Sequence, residues 1–513
     1  MTQALHRAVQ QSPDGPMTIF RDRTRTAAES ADRVARLAGA LRSLGVRPGD
    51  RVGILALNSD RYHEFLLAVP WAGGVVNLVN VRWSAAEIAY SLGDCQTDVL
   101  FVDDAFAALV PGLRRPAAGL KTVIFCGDGE TPDGVLDYED LIRFADPVED
   151  AGRGGADLYG VLYTGGTTGT PKGVLVSHRG VLTSAVGTLV TTEAITRGGM
   201  LLHAAPMFHV ADLTMWTIGM LTGSTHVIVP SFSPAAVTEA ITTHGITDTL
   251  LVPTMIQLLA DSPEAAGADL SSVRHILYGA SPISEAVLTR ARARLPNTEF
   301  TQAFGMTELG GVGTLLTSDD HRDPALVRSC GRAAAHCEVR IVDPAGDEVP
   351  RGVVGEIILR GDNVTAGYWN KPAETAATLR DGWLHSGDGG YMDSRGYVFV
   401  VDRLKDMIIT GGENVFSIEV ENALASHQAV TQAAVVGVPD EQWGERVHAF
   451  IVTKPSARVT FEELRDHCRQ HIAGYKLPRS GTFVDALPIS GAGKVLKREL
   501  RSQFWEGADR RVR

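Results

Sequence analysis

The chain is poor in cysteine, and its five cysteines are scattered. Cys95, Cys126, Cys330, Cys337 and Cys468 form no CxxC pair, so free thiols in a reducing compartment are the simple reading and a disulfide framework is not. Long apolar runs are missing as well. The best stretch, about Leu66 to Val81, is broken by Pro70, Gly73, Gly74 and Asn77, short of the roughly 20 apolar residues that a spanning helix needs. The first residues, MTQALHRAVQQSPDG, have no apolar core of signal-peptide length. A cytoplasmic protein without an integral membrane segment is therefore expected. Excess positive charge is also absent. The net charge of −12 argues against nucleic acid or an anionic membrane surface as partner, and any phosphate ligand must be held by local donors against that field.

Two catalytic patterns start and then fail. His63-Glu64 opens an HExxH, but position 67 is leucine, so the zinc-protease pair is missing. Gly279-Ala-Ser281-Pro-Ile lacks the closing glycine of a hydrolase elbow.

What is present is ample core and an alternating pattern. With 513 residues, 44% hydrophobic and 21% charged, the chain suits a globular protein of roughly two to four domains. Ala27 to Leu44 has helical spacing and stops at Gly45, and Arg51 to Leu57 reads as a buried strand. Strand-like runs at Val99–Val102, Thr122–Phe125, His226–Val229 and Thr249–Val252 continue an α/β alternation. Beyond residue 330, Glu338–Asp343, Gly355–Arg360 and Gly396–Val401 are strands between short turns, which predicts a β-rich subdomain. From about Asp402 onward, helices at Ser417–Ser426 and Phe461–His471 with strands at Ala433–Val436 and His448–Val452 predict a small α+β domain.

The most informative segment is Tyr163-Thr-Gly-Gly-Thr-Thr-Gly-Thr-Pro-Lys-Gly173, after the apolar run Leu158–Leu162. Glycines let backbone N–H groups approach an anion, threonine hydroxyls add donors, and Lys172 adds a mobile charge. This suits a polyphosphate cradle. It is not a Walker A loop, because Pro171 precedes Lys172 and Gly173 follows it. In Gln302–Glu308, Phe304 can stack on a base, Thr307 can donate to a phosphate and Glu308 can hold Mg²⁺, although an ordinary helix start is the better explanation of the segment when it is taken alone. Asp388, within His385-Ser-Gly-Asp-Gly-Gly390, suits two vicinal ribose hydroxyls, or is a plain Asp-Gly turn. Asp402–Asp406 followed by Thr410–Asn414 reads as a charged joint before a glycine pair, and Ser490–Lys494 carries an ammonium on a Gly-rich loop.

Taken in order, these segments resemble the adenylate-forming superfamily of acyl-CoA synthetases, luciferases and peptide-synthetase adenylation domains. The resemblance runs from about Gly49 to Leu500 through YTGGTTGTPKG, PMFHVAD, GASPIS, FGMTE, GYWNKPAET, DGWLHSGD, DRLKDMIITGGENVFSIEVE and GAGK, with VPDEQWGE and YKLPR similar to the texture of fatty-acyl and aryl-CoA ligases. It implies a large N-terminal domain over 1–402, with two α/β sheets and a β-rich subdomain, and a small mobile C-terminal domain over 403–513 hinged near Lys405. It implies ATP, Mg²⁺ and CoA as cofactor and co-substrates, a small carboxylic acid as substrate, and leaves a homodimer open. By the same resemblance Lys494 bridges carboxylate and α-phosphate. Thr164, Gly165, Gly166, Thr167, Thr168 and Lys172 hold the β- and γ-phosphates, Thr307 serves the α-phosphate and Glu308 the metal. Ala280, Ser281, Ala303 and Phe304 surround adenine, Asp388 and Arg403 take the ribose, Gly411 and Gly412 face the pantetheine arm, and His209, Ala280 and Gly310 line the acyl pocket. His209 has a packed core histidine as its alternative.

Two positions depart from the pattern. Gly165 stands where relatives often carry a hydroxyl, and Lys497 stands where arginine is frequent, keeping the charge without the planar fork. Small residues at Gly310, Gly311 and Gly313, with Ala280 and Ala303 nearby, favour an open path and hence a medium or long aliphatic acid, with an aryl or short branched acid as the alternative. Loading of a carrier protein instead of CoA is the first rival function. A non-catalytic adenylate-binding scaffold is opposed by the presence of Lys494, Glu308 and Lys172, and nothing requires a luciferase-like oxidation.

Overall fold

A computed structural model of the chain describes residues 1–114, 119–164, 171–281, 283, 285–454, 457–489 and 495–505. The chain divides into two compact units, Met1–Val339 with Leu359–Leu384, and Arg340–Ile358 with His385–Arg513.

The first unit contains two sheets among the described residues. One has nine strands in the order Arg332–Ala333, Thr314–Leu316, Glu299–Phe304, His275–Gly279, Asp248–Leu250, Met200–His203, Thr225–Ile228, Pro16–Phe20 and Arg23–Thr26. The other has seven, in the order Leu136–Asp137, Thr122–Phe125, Thr97–Val102, Arg51–Leu55, Val75–Leu78, Leu158–Thr164 and Lys172–Ser177. The α/β alternation read from the sequence is therefore present. The strands expected in this unit are all found, matched at both ends at Thr122–Phe125 and otherwise displaced at one or both ends by one or two residues, as where Arg51–Leu57 shortens to Arg51–Leu55.

Local chemistry explains the helices. In Ala27–Ser43, Thr26 and Glu29 form a reciprocal capping box, and Val34, Leu37, Ala38 and Leu41 make the buried stripe. The helix ends before Gly45, at φ +92°. Asp60–Ala72 is buried on every side and packs into one core with Val52 and Phe101 of one sheet and Phe20 and Ile228 of the other. Several of its polar groups find partners, while the Tyr62 hydroxyl and His63 Nε2 have none among the described residues. Trp216 Nε1–H donates to His63 Nδ1 at 2.9 Å, while Arg33 Nε donates to Glu64 Oε1 at 2.7 Å. His63-Glu64 is thus two packing contacts.

A third sheet has the order Glu338–Val342, Gly355–Arg360, Trp383–Met392, Leu379–Arg380, with Val398–Arg403 also paired to Trp383–Met392. It is the β-rich element expected beyond residue 330. In the second unit Val430–Asp440 and Gly444–Thr453 form a long antiparallel pair, flanked by the helices Ser417–Ala425, Phe461–Arg469 and Lys497–Trp505.

Lys497 opens the last of these helices and answers the question raised by its departure from arginine. Its ammonium sits 2.7 Å from Glu421 Oε1 and donates to Ser417 Oγ at 2.5 Å, and Ser417 Oγ in turn donates to Asp402 Oδ2 at 2.6 Å. Burial works to lower the Lys497 pKa, but the Glu421 and Asp402 carboxylates outweigh it and raise the value. One point charge serving two acceptors needs no planar fork. Lys497→Met leaves Glu421 buried without a cation and should cost about 3–5 kcal/mol in urea unfolding at pH 7, most of it recovered in Lys497→Met/Glu421→Met.

Candidate active site

Strand pairing decides which motif segments meet. Met200–His203, Asp248–Leu250, His275–Gly279 and Glu299–Phe304 run parallel and side by side. The segments that follow three of them, carrying His209, Ala280 with Ser281, and Phe304 with Glu308, all leave from the carboxyl edge of this sheet. That edge is where open α/β sheets hold ligands. Gly279 pairs with Ala303, and a Cβ on Gly279 would run into the Ala303 carbonyl. Ala280 follows with φ +69°, a left-handed conformation uncommon for a residue with a side chain. Strain of that kind, about 1–3 kcal/mol, gathers at binding sites.

Phe304 ends its strand half-buried, and Thr307 and Glu308 begin the short 3₁₀ turn Thr307–Leu309, 9% and 6% exposed. The segment is a strand end and turn instead of a helix start. His209 is the half-buried N-cap of Val210–Thr222, its Nδ1 accepting from the Ala211 N–H at 3.3 Å. Behind it, the same helix is tied to the sheet by Asp212 Oδ2 on His203 Nδ1 at 2.9 Å, with His203 Nε2 2.9 Å from His226 Nδ1.

The other sheet holds the two ends of the Gly/Thr-rich segment. Leu158–Thr164 pairs antiparallel with Lys172–Ser177, setting Thr164 opposite Lys172. Gly165, Gly166, Thr167 and Thr168, and likewise Lys494, lie outside the described residues. Lys172 and Glu308 meet through a residue that sequence reading passed over. The Tyr368 hydroxyl donates to Glu308 Oε1 at 2.7 Å, and Lys172 Nζ stands 5.2 Å from the centroid of the same ring. Tyr368 lies in GYWNKPAET, where an aromatic flanked by glycine was the available signal. The Glu308 carboxylate makes no further side-chain bond among the described residues. No group of three or more His, Cys, Asp or Glu able to hold a metal gathers among them either. A cation shared between this carboxylate and phosphate oxygens fits that donor set, whereas an all-protein cage does not.

In the second unit Asp388 and Arg403 face each other across antiparallel strands, Arg403 Nε lying 2.5 Å from Asp388 Oδ1. The Asp-Gly turn considered for Asp388 is absent, since the residue is 6% exposed inside the strand Trp383–Met392. Gly411 and Gly412, at φ +60° and +86°, form the two-residue turn between Ile408–Thr410 and Glu413–Val415. They differ in surroundings. A Cβ on Gly411 would lie 2.6 Å from the Trp443 ring, and one on Gly412 would have nothing within 4 Å.

The open path read from Gly310, Gly311 and Gly313 is not found. A Cβ on Gly310 would lie 3.0 Å from the Gly180 carbonyl oxygen, one on Gly313 would lie 2.6 Å from the Leu359 side chain, and one on Gly311 would overlap the Thr214 hydroxyl. Thr214 Oγ1 already donates to the Gly310 carbonyl at 3.2 Å, and the Val312 N–H donates to Ser184 Oγ at 3.1 Å. These glycines let backbone pack on neighbouring helices and a strand, so the space their missing side chains leave is filled.

Residues 5–369 match the AMP-binding enzyme family and residues 419–494 its C-terminal domain. The chain belongs to that family. A feruloyl-CoA synthase of an Amycolatopsis species is 40% identical over 93% of this chain and 94% of its own. The fatty acid–[acyl-carrier-protein] ligase ScoC of Streptomyces coeruleorubidus is 35% identical, over 98% of this chain and 96% of its own. Among solved structures, the anthranilate CoA ligase AuaEII in complex with anthranoyl-AMP superposes with a TM-score of 0.91 at 27% identity, covering 99% of this chain and 97% of that one. As a member of the AMP-binding enzymes this chain is an AMP-forming acid–thiol ligase, and among its described residues no helix is long and apolar enough to cross a membrane.

Lys405 gives the site a measurable pH signature. Burial, then the neighbouring Arg403 charge, lower its pKa from 10.5 to about 8. Between those values the unfolded chain binds the extra proton, so stability rises with pH across that window, and the ammonium is a burden below it. Lys405→Met should therefore be more stable than the parent at pH 7 in urea titration, with the gap closing as pH rises from 8 toward 10.5.

Proposed function

We propose that the protein activates a hydrophobic carboxylic acid as its acyl-adenylate, with release of pyrophosphate, and then forms the CoA thioester. The observation that carries this reading is the bracket of Lys172, Tyr368 and Glu308, which places a cation and a carboxylate on one aromatic side chain beside the carboxyl edge of the sheet. Attack of a carboxylate on the α-phosphate joins two anions, so the barrier falls through positioning and through positive charge at the forming bond. Lys172 attracts the departing pyrophosphate from one end of the cradle. Thr307 offers a hydroxyl to the α-phosphate, and Phe304 offers a half-buried ring to adenine. Asp388 and Arg403 serve the ribose, and Lys494 the new bond. Glu308 is the residue that would hold Mg²⁺, which would supply charge neutralisation between phosphate oxygens.

Residues 1–402 and 403–513 act as the two bodies of this cycle, turning near Lys405 between the half-reactions. The bare turn at Gly412 leaves a thiol arm clear of side chains, which serves CoA and a carrier protein alike, and CoA is favoured by the feruloyl-CoA synthase relative. For the acid, the filled space around Gly310–Gly313 favours a compact, ring-bearing acid such as those named for the feruloyl and anthranilate ligases. A medium or long fatty acid is the second reading, supported by the fatty-acid ligase relative.

The test is ATP–pyrophosphate exchange with a panel of aryl and C4–C18 acids, followed by CoA-dependent release of AMP. Exchange with aryl acids exceeding that with dodecanoate supports the first reading, and the reverse order selects the second. Lys494→Ala should lower exchange by about 10²–10³ while leaving thioester formation from supplied acyl-adenylate near the parent rate. A normal exchange rate in that variant removes Lys494 from the role.

A further inference from the structure

Tyr368 is held more firmly than its neighbours in sequence require. It is 9% exposed, and its own N–H donates to Thr375 Oγ1 at 2.9 Å. On one side the Leu175 N–H donates to the Gly367 carbonyl at 2.9 Å and the Trp369 N–H to the Gly173 carbonyl at 2.7 Å. On the other, the Thr365 N–H donates to the Glu308 carbonyl at 2.8 Å, and Thr365 Oγ1 reaches back to the first side, donating to the Leu175 carbonyl at 2.7 Å. Residues 365–369 thus stitch the strand that starts at Lys172 to the turn that carries Glu308.

The ring then does what no backbone bond can. Its hydroxyl fixes one carboxylate oxygen of Glu308 by a 2.7 Å charge-assisted hydrogen bond, and its π-system seats the Lys172 ammonium at 5.2 Å. Among the described residues Lys172 and Glu308 form no ion pair with one another. We propose that Tyr368 is a positioning residue of the nucleotide site, holding these opposite charges on one neutral side chain so that neither neutralises the other and each stays available to the polyphosphate and its cation. This rests on the roles given above to Lys172 and Glu308. Without the hydroxyl the carboxylate can turn. Without the ring the ammonium loses its seat, and a direct Lys172–Glu308 pair competes with ligand.

The two contacts are separable. Tyr368→Phe keeps the ring and removes the hydroxyl, whereas Tyr368→Leu removes both. Calorimetric binding of ATP to the whole chain, with and without Mg²⁺, gives a readout apart from turnover, and thermal unfolding reports the fold. In Tyr368→Phe, metal-free ATP affinity should stay within twofold, while the gain in affinity brought by Mg²⁺ falls about tenfold. In Tyr368→Leu, metal-free affinity should fall about threefold as well. Glu308→Gln is the reference. If it loses the Mg²⁺ gain and Tyr368→Phe does not, the inference is overturned and the role of Glu308 stands. If Glu308→Gln keeps the gain, the metal role of Glu308 falls and the inference falls with it. Equal losses in both Tyr368 variants at every Mg²⁺ level, tracking a common drop in melting temperature, mean packing alone and also overturn it.

Discussion

Parallel pairing of His275–Gly279 with Glu299–Phe304 is the constraint from which the large unit's chemistry follows. Register puts Gly279 against Ala303, and the two backbones approach so closely there that a Cβ on Gly279 would strike the Ala303 carbonyl. That closeness brings Ala280 and Ser281 beside the strand end that carries Phe304, Thr307 and Glu308. It also forces the chain to turn sharply as it leaves the sheet, which is where Ala280 takes its left-handed conformation. A wider spacing would relieve Ala280 and separate the segments. The strain and the site are two consequences of one register.

Charge is handled locally throughout. The chain carries a net −12, yet several of its inward-facing carboxylates have a cation beside them: Glu64 has Arg33, Asp388 has Arg403, and Glu421 has Lys497. Such pairs are weak as sources of stability, because desolvation offsets much of their attraction, but they are specific in geometry. The Lys497 network illustrates the use of that specificity. Lys497 reaches Ser417 and Glu421, Ser417 reaches Asp402, and Arg501, one helical turn on, stands 3.3 Å from Asp406. The final helix is therefore registered against both ends of the charged joint by polar groups that accept few alternative partners.

Much of this was legible in sequence because it rests on short-range chemistry. Capping at Thr26 and Glu29, the stop at Gly45, and the strands Thr122–Phe125 and Gly355–Arg360 are local signals with local causes. The motif residues at strand ends stood out for a different reason, since each offers a donor, acceptor or ring at or beside a turn. What failed were inferences about space. Gly310, Gly311 and Gly313 looked like room for an acyl chain and instead admit Gly180, Thr214 and Leu359 from segments up to 130 residues away in sequence, a distance over which no local rule operates. Asp388 looked like a turn because it lies between glycines, and a partner strand made it a paired position. Gly411 and Gly412 are adjacent and chemically identical, yet one is pressed on Trp443 and the other is bare. A missing side chain signals close approach or free passage with equal force until the third dimension decides.

Tyr368 was overlooked for a related reason: its role comes from two neighbours that are distant in sequence and opposite in charge. A site that must receive a polyanion in an acidic protein cannot let its cation be consumed by its own carboxylate. In a partly buried setting, a direct Lys172–Glu308 contact would strengthen as water left, and ligand would have to break it. A neutral ring avoids this competition by offering a face to the ammonium and a hydroxyl to the carboxylate, each interaction weaker than the charge–charge contact it displaces. Binding of an anion would then exchange weak internal contacts for strong external ones, and on the function proposed above the difference is available for holding pyrophosphate.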